Sequence, residues 1–390
     1  MPETNFIAEL LELKDVIVTK IENAEEGKHI YLELPRKVHK CPECCEETDR
    51  VHDYREQKIK DIPYLRNTFL HFRKRRYICL NCGKRFYEQN DFLPRYHRST
   101  QRLITTVMEE FRMKQPASQI AKRYNISSTT AFRYFDQISY GAKHLPEVLS
   151  IDEFKGDADG EKYQCILTNP KKKLVIDVLK NRREMDLIDY FRNCSDRNNV
   201  RYFITDMNPH FRNVAQVCFP NATIIADRYH VSRQVCWAME NVRKNEQKKF
   251  SKTHRRYFKR SRYLLMKNPQ KLTKEDEEDL AHMFELAPRL ARAYDLKNKF
   301  LDVMHSKDSK EGSRLLSQWF VRAELEGLDE FKACITAYHN WSKEILNALD
   351  CKWSNGYTEG CNNRTKVLKR VCFGIRKFSR LRNRIMHCCA

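Results

Sequence analysis

The sequence predicts a multidomain α+β protein: two amino-terminal modules, then a strand-and-helix domain that an all-helical insertion interrupts. Three observations carry this reading: two C-x-x-C pairs far apart, a helix–turn–helix pattern near residue 120, and three apolar runs that each lead to an aspartate. The 390-residue length allows two or three domains with a substantial core. Lysine and arginine number 73 against 52 aspartates and glutamates, a net charge of +21 spread along the chain. Such a charge favours a polyanionic partner and steering towards it. A membrane surface would attract it too, but no apolar run approaches the ~20 residues that span a bilayer. The first residues, Met1-Pro-Glu-Thr-Asn-Phe6, lack the basic-then-apolar pattern of a secretion signal. Fifteen cysteines, odd in number and scattered, argue against a secreted disulfide framework and for a reducing cytosol.

Residues 1–98 form the first predicted module. Val16-Ile-Val-Thr19 and His29-Ile-Tyr-Leu-Glu-Leu34 alternate as short antiparallel strands do. Cys41-Pro-Glu-Cys44 and Cys79-Leu-Asn-Cys82 each offer two thiolates at a bite that suits tetrahedral Zn²⁺. A redox C-x-x-C would stand once, beside a βαβ unit, so two pairs bracketing a strand-rich segment favour a structural zinc ribbon. Cys45 is a spare thiol, and His39 and His52 are nearby alternative ligands. Around the pairs lie Arg73, Arg75, Arg76, Arg95 and Arg98, interleaved with aromatics, as a surface that contacts phosphates and stacks on bases would be. An ordinary solvated basic face is the plainer alternative for any one of them.

Residues 99–141 read as a helix-turn-helix. Leu103, Val107, Met108 and Phe111 share one helical face. Ala117–Tyr124 makes a second helix, Asn125-Ile126 a tight turn, and Ser127 caps a third that runs to Ile138. Ser128, Thr129, Thr130 and Arg133 then stand at the start of the helix that reads base edges in such motifs. A plain helical hairpin is the alternative. Gly141–Pro146 looks like a linker.

Residues 147–234 are expected to be the first part of a sheet domain. Val148–Phe154 carries Asp152, and two strand-like runs follow, Tyr163–Thr168 and Leu174–Leu179. A helix around Glu184–Phe191 precedes Arg201–Asp206, and Ala222–Asp227 leads into Arg-Tyr-His230. Carboxylates that end adjacent buried strands converge at one sheet edge, where they can share a cation; strand-end aspartates are also common turn formers. Residues 235–350 are helix-forming throughout and read as an insertion, basic at first, with tryptophans assigned to its core. In 351–390, Glu359 falls near a helix start, with Asn362, Asn363, Lys366 and Arg370 on one polar face and Val367 on the core side.

Taken together, these residues resemble a bacterial insertion-sequence transposase of the ISL-three family. Cys41-Pro-x-Cys44, Val51-His-Asp-Tyr-Arg55, Arg75-Arg-Tyr77 and Cys79-x-x-Cys82-Gly-Lys-x-Phe86 match its amino-terminal finger. Ser150-Ile-Asp-Glu-Phe154, Thr205-Asp-Met207, Ala226-Asp-Arg-Tyr-His-Val231 and Glu359-Gly-x-Asn-Asn363 with Lys369-Arg370 match its catalytic domain. Two departures stand out: Cys45 where a glycine is usual and Ile375 where an aromatic is usual. The resemblance implies a ribonuclease-H-like catalytic domain with Asp152, Asp206 and Glu359 as a metal-binding triad. It implies Asp227 and His230 as an accessory pair, with Lys366 and Arg370 steadying a phosphate. Mg²⁺ or Mn²⁺ would serve the triad and Zn²⁺ the cysteines. The implied partners are double-stranded DNA, both element ends and target, and at least a second copy of the chain on that DNA. The implied location is the bacterial cytoplasm, at the nucleoid. Two other readings compete: a non-catalytic DNA-binding regulator built on the ribbon and helix-turn-helix, and a plain ribonuclease-H-like nuclease.

Overall fold

The computed structural model describes residues 8–9, 11–13, 15–94, 96–141 and 144–389. Arg95, and Ala142 and Lys143 of the expected linker, lie outside the described residues. The chain divides into two compact units, residues up to 140 with 367–375, and residues 141–366 with 376–390. The ribbon and the helices after it therefore belong to one unit rather than two.

The first unit is a sheet followed by three helices. Strands β1 (Ile17–Ala24) and β2 (Gly27–Glu33) form a hairpin, and two long strands, β5 (Val51–Tyr64) and β6 (Arg66–Ile78), form another. The order is β1-β2-β6-β5, with β7 (Arg85–Tyr87) on the end of β6; the short β3 (His39–Lys40) and β4 (Glu47–Thr48) pair separately. Gly27 opens β2 at φ +150, where a Cβ would stand 2.2 Å from the Asn67 carbonyl oxygen; only glycine lets these backbones meet. Ile59, Leu70 and Phe72 are fully buried on one face, each contributing roughly 1.5–3 kcal/mol. Helices α1 (Gln101–Glu110), α2 (Ala117–Arg123) and α3 (Ser128–Phe135) share a core of Leu103, Val107, Phe111, Ile120, Ala131 and Phe135. Asn125 turns between α2 and α3 at φ +49, and the Ser127 hydroxyl caps α3 by accepting from the Thr130 amide. The third helix ends at Phe135, capped by Asp136, three residues short of Ile138.

The second unit holds a five-stranded sheet of order β10-β9-β8-β11-β12. β8 (Val148–Ala158), β9 (Glu161–Asn169) and β10 (Leu174–Leu179) are an antiparallel meander; β11 (Tyr202–Thr205) and β12 (Thr223–Ala226) add parallel to β8. β8 runs past Phe154 because pairing with β9 carries it on to Ala158. Helices α4 (Glu184–Arg192) and α5 (Pro209–Cys218) make the crossovers.

From Arg228 to Asp350 every element is helical: α6 (Arg228–Gln247), α7 (Lys252–Arg260), α8 (Arg262–Met266), α9 (Lys274–Leu286), α10 (Pro288–Met304), α11 (Ser309–Glu326), α12 (Lys332–Asn340) and α13 (Ser342–Asp350), with two short 3₁₀ turns. Phe300 stacks on Tyr338 at 4.1 Å between ring centres, and Trp319 donates to the Leu296 carbonyl. Trp319 and Trp341 are buried in this core, but Trp237 is 51% exposed, against its core assignment. The Arg228 guanidinium donates to the carbonyls of Ala348, Leu349 and Cys351, so the two ends of the helical stretch are fastened together. Two helices close the chain, α14 (Gly356–Val371) and α15 (Phe378–Cys389). No helix among the described residues is long and apolar enough to cross a membrane.

Candidate functional site

The four cysteines meet. Sulfur–sulfur separations are 3.5 Å for Cys41–Cys82, 3.5 Å for Cys44–Cys79 and 3.4 Å for Cys44–Cys82. A tetrahedron of ~2.3 Å metal–sulfur bonds has edges of about 3.8 Å, so the donor set fits Zn²⁺. The two knuckles share one hydrogen-bond pattern. The Cys45 amide donates to the Cys41 carbonyl and the Gly83 amide to the Cys79 carbonyl, both at 3.0 Å. His39 packs on Tyr77 and His52 pairs with Asp53, so both stand outside the thiol cluster. Cys45 occupies the left-handed position (φ +62) that Gly83 fills in the other knuckle (φ +72). That conformation costs a residue with a side chain about 1–2 kcal/mol, offset in part by glycine's freedom when unfolded. Cys45→Gly is therefore expected to stabilise the ribbon by about 1 kcal/mol, read as a higher melting temperature at unchanged zinc content.

The basic residues separate into three kinds. Arg98 and Arg133 are exposed and, with Lys58, Lys60 and Thr130, line a groove of about 980 Å³. Thr129 is exposed beside it, and Ser128 is half-buried. Arg73 is exposed over the Tyr54 ring, while Arg76 is half-buried, 3.5 Å from Asp53. Arg75 needs correction as a phosphate contact. It is 6% exposed and spends its guanidinium on the Leu34 carbonyl, Glu33 and Glu88, so its work is to hold the sheet together.

The acidic site follows from strand register. Tyr202, Phe203 and Ile204 of β11 pair with Val148, Leu149 and Ser150 of β8, and Thr205 pairs with Ala226 of β12. Carried on, the same offsets put Asp206 level with Asp152 on one side and with Asp227 on the other. Asp206 and Asp227 are thus the first residues past β11 and β12, and Asp152 lies on β8 two residues past its last pairing with β11, so all three fall at one edge of the sheet. Asp227 is buried and fully engaged. Its Oδ1 accepts from the Asn355 amide (3.1 Å) and its Oδ2 from the amide and Nδ1 of His230 (3.3 and 2.9 Å), which also caps α6. Asp206 is half-buried, and among the described residues its carboxylate takes one hydrogen bond, at 3.3 Å from the Thr205 hydroxyl.

Helix α14 is pinned over these strands by a polar floor. Asn355 and Thr358 bond the Ser150 hydroxyl, and Thr358 also bonds Thr168 at 2.7 Å. One turn on, Asn362 donates to Asp152 Oδ2 at 2.8 Å. The inward face is Thr358, Cys361, Asn362, Thr365 and Leu368, so Asn362 is buried at the edge of the expected polar face, and Val367, 42% exposed, leaves the core side. The floor it packs against is hydroxyl-rich, which is why the inward face is polar.

Among the described residues, the acids and histidines that come within ligand distance of one another as a trio are Asp227, His230 and Glu359; Asp152 and Asp206 stand beside them, outside that trio. His230 Nδ1 is 3.9 Å from Glu359 Oε1. No lysine or arginine among the described residues forms an ion pair with Asp152, Asp206 or Glu359. Burial, and then the Asp206 carboxylate, push the Asp152 carboxyl up to about 7. Burial likewise raises Asp206 and Glu359, and the hydrogen bond to Asp227 raises His230. Four carboxylates served by one imidazole are a donor set short of positive charge, which suits a hard divalent cation. Lys366 is exposed on α14, and its charge is felt by Glu359; Arg370 lies beyond it, in the stretch that groups with the first unit. Asn355 and Asn362 are the site residues that sequence reasoning missed as partners of the acids. The i, i+7 spacing from Asn355 through Thr358 to Asn362 was the available signal.

A family model described as Transposase matches residues 149–385, and one described as the zinc-finger of transposase IS204/IS1001/IS1096/IS1165 matches residues 37–82. The transposase for insertion sequence element IS1001 of Bordetella parapertussis is 24% identical over 372 residues, 89% of this chain and 88% of that protein. The transposase for insertion sequence element IS1557 of Mycobacterium tuberculosis is 31% identical over 140 residues, 36% of this chain and 31% of that protein. A Lactococcus lactis protein named ATP-dependent protease is 31% identical over 120 residues, 31% of this chain and 36% of that protein.

Proposed function

Since the chain belongs to the ISL-three family of transposases, we propose that it binds the terminal inverted repeats of its insertion sequence and cuts and rejoins DNA at a site built from Asp152, Asp206 and Glu359. The observation that supports this reading is the parallel pairing of β8, β11 and β12, which brings the ends leading to Asp206 and Asp227 beside the strand that carries Asp152, together with the Asn362–Asp152 bond from the helix that bears Glu359. We read the β10-β9-β8-β11-β12 sheet as ribonuclease-H-like and helices α1–α3 as a DNA-reading helix-turn-helix. Residues 1–98 and 99–141 would find the element end, and residues 147–234 with 351–390 would do the chemistry, with 235–350 as the insertion. At least a dimer is proposed on the DNA, at the bacterial nucleoid.

A divalent cation pair held by Asp152, Asp206 and Glu359 would draw charge from the attacking and leaving oxygens of the phosphodiester. Asn362 orients Asp152, and Asp227 fixes the rotamer of His230, which faces Glu359. In the first reaction a water oxygen bonds to phosphorus at the element end and the bond to the 3′ oxygen breaks, leaving a 3′-hydroxyl. In the second that hydroxyl attacks a target phosphodiester, joining element to target and freeing a target 3′-hydroxyl. Lys366 and Arg370 are proposed to steady the phosphate, and no enzyme nucleophile is required. The test is cleavage of the element's own end sequence with Mg²⁺ or Mn²⁺; DNA left intact under both metals refutes the reading. Arg133→Ala is expected to cost ~1–3 kcal/mol in discrimination between the end and random DNA if the arginine reads a base edge. Competition binding checks it, and equal weakening on both DNAs makes Arg133 a phosphate contact.

A further inference from the structure

We propose that the exposed face of α6 is a track for an unpaired DNA strand running from the acidic site, with Tyr229 and Trp237 stacking on its bases. The proposal deepens the reading above and rests on it. Tyr229, Arg233, Trp237, Asn241 and Lys244 are exposed at successive steps of four, four, four and three residues, and Lys248 continues the row past the helix end. At 1.5 Å per residue the row is about 28 Å long, and its four-residue steps wind it slowly round the exposed side of the helix. The opposite face, Val231, Val235, Ala238, Met239 and Val242, is buried, so the two rings are not needed to pack the helix.

The stripe is cationic as well as aromatic. The helix's own acids, Glu240 and Glu246, are turned inward, where Arg243 and Arg289 pair with them. Outward remain Arg233, Lys244 and Lys248. The Arg233 guanidinium lies 4.2 Å from the Trp237 ring centre and 5.9 Å from that of Tyr229, which holds both rings and the cation in a fixed row. Tyr229 and Trp237 keep about half of their surface open to solvent, at 56% and 51%. Such rings between cations suit a nucleic acid strand, because every base has a π-face to stack while its phosphates meet the charges. In a duplex those faces are already stacked on neighbours, so the fit is to an unpaired segment.

Position ties the stripe to the chemistry. Tyr229 stands edge-on to the ring of His230, 5.4 Å between centres, and Arg233 acts electrostatically on Glu359. At the far end Asn241, Lys244 and Lys248 line a concavity of about 430 Å³ together with Arg255. A strand freed or frayed at the cleavage point would therefore meet an aromatic, then a cation, then an aromatic, and end among lysines.

The full-length, zinc-loaded protein in buffer without Mg²⁺ or Mn²⁺ and without chelator, titrated into a labelled single-stranded oligonucleotide of mixed sequence, tests this by fluorescence anisotropy. Trp237→Ala is expected to weaken single-strand binding about tenfold or more, with Trp237→Phe recovering most of it and blunt-duplex binding staying near wild type. Leu325→Ala, an exposed apolar change on α11, is the control expected to leave both unchanged. Equal single-strand affinity for Trp237→Ala and wild type, with circular dichroism unaltered, overturns the proposal. So does a Trp237→Ala protein that loses self-association in light scattering while keeping its single-strand affinity, which would give the face to a second copy of the chain. The binding readout needs no catalysis. If it fails while Asp152→Asn still abolishes end cleavage, the track is wrong and the catalytic reading stands; loss of the catalytic reading would instead appear as cleavage by Asp152→Asn.

Discussion

Asp152→Asn, Asp206→Asn and Glu359→Gln are each expected to lower end cleavage by a factor on the order of a thousand or more, with end binding near wild type. A cation site loses several kcal/mol of charge stabilisation with any one of its few anionic ligands, and about 4 kcal/mol is a thousandfold in rate. Removing charge without volume separates ligation from folding. Asp152 is buried beside another acid, and no lysine or arginine among the described residues pairs with it, so Asp152→Asn is also expected to raise the melting temperature of the metal-free protein. Asn362→Ala, which frees Asp152 to rotate, should cost ~10–100-fold in cleavage, as losses of ligand-orienting partners do. Asp227→Asn should impair rather than abolish, since Asp227 acts through His230 and the helix cap. Wild-type cleavage by Glu359→Gln would refute the third acid. Glu344 and Asp350, acids at the end of the helical insertion, are poorly placed to replace it: Asp350 accepts from the Ser309 amide and Glu344 is buried near Arg212.

Cys79→Ser is expected to abolish zinc binding and unfold both knuckles. Metal binding supplies ~10–16 kcal/mol of the folding free energy of zinc-finger peptides, and what else holds these loops is slight: the two-residue pairing of β3 with β4, the short β6–β7 pairing and the exposed Lys84–Glu43 ion pair. The loss should stay local. The core of Ile30, Leu32, Ile59, Leu70 and Phe72 beneath β1, β2, β5 and β6 contains none of the four cysteines. Hydrogen exchange should therefore rise in residues 39–50 and 79–87 while β5 and β6 keep their protection. Native mass spectrometry should show one zinc per wild-type chain and none in the variant; wild-type protein purified without zinc would refute the assignment.

The aspartates were legible because β-branched runs that stop at an acid announce their strands directly, and C-x-x-C announces its knuckle. Their alignment was not, because register depends on pairings between residues more than fifty positions apart. On α14 the sequence reading assigns the apolar Val367 to the core, and that rule fails where the floor is Ser150 and Thr168: polar Thr358 and Asn362 are buried and Val367 comes out. Arg75 misled in the same way, since its partners are Glu33 at the end of β2 and Glu88 just past β7. Trp237 could have been found: it falls in phase with Tyr229 and Arg233, out of phase with Val231, Val235 and Val242.

The fastening of Arg228 to the carbonyls of Ala348, Leu349 and Cys351 bears on how the chain finds this structure. Asp227 and Asn355 must meet across an excursion of 128 positions. Closing so long a floppy loop costs about 3 kcal/mol more than closing one of a few residues, by the logarithmic dependence of closure entropy on length. Helices α6–α13 have a hydrophobic core of their own, and once it forms with its ends clasped, the excursion behaves as a short connection. The sheet then sees a tight turn where the sequence has a long detour, and the barrier that such distant pairing sets on folding rate falls accordingly.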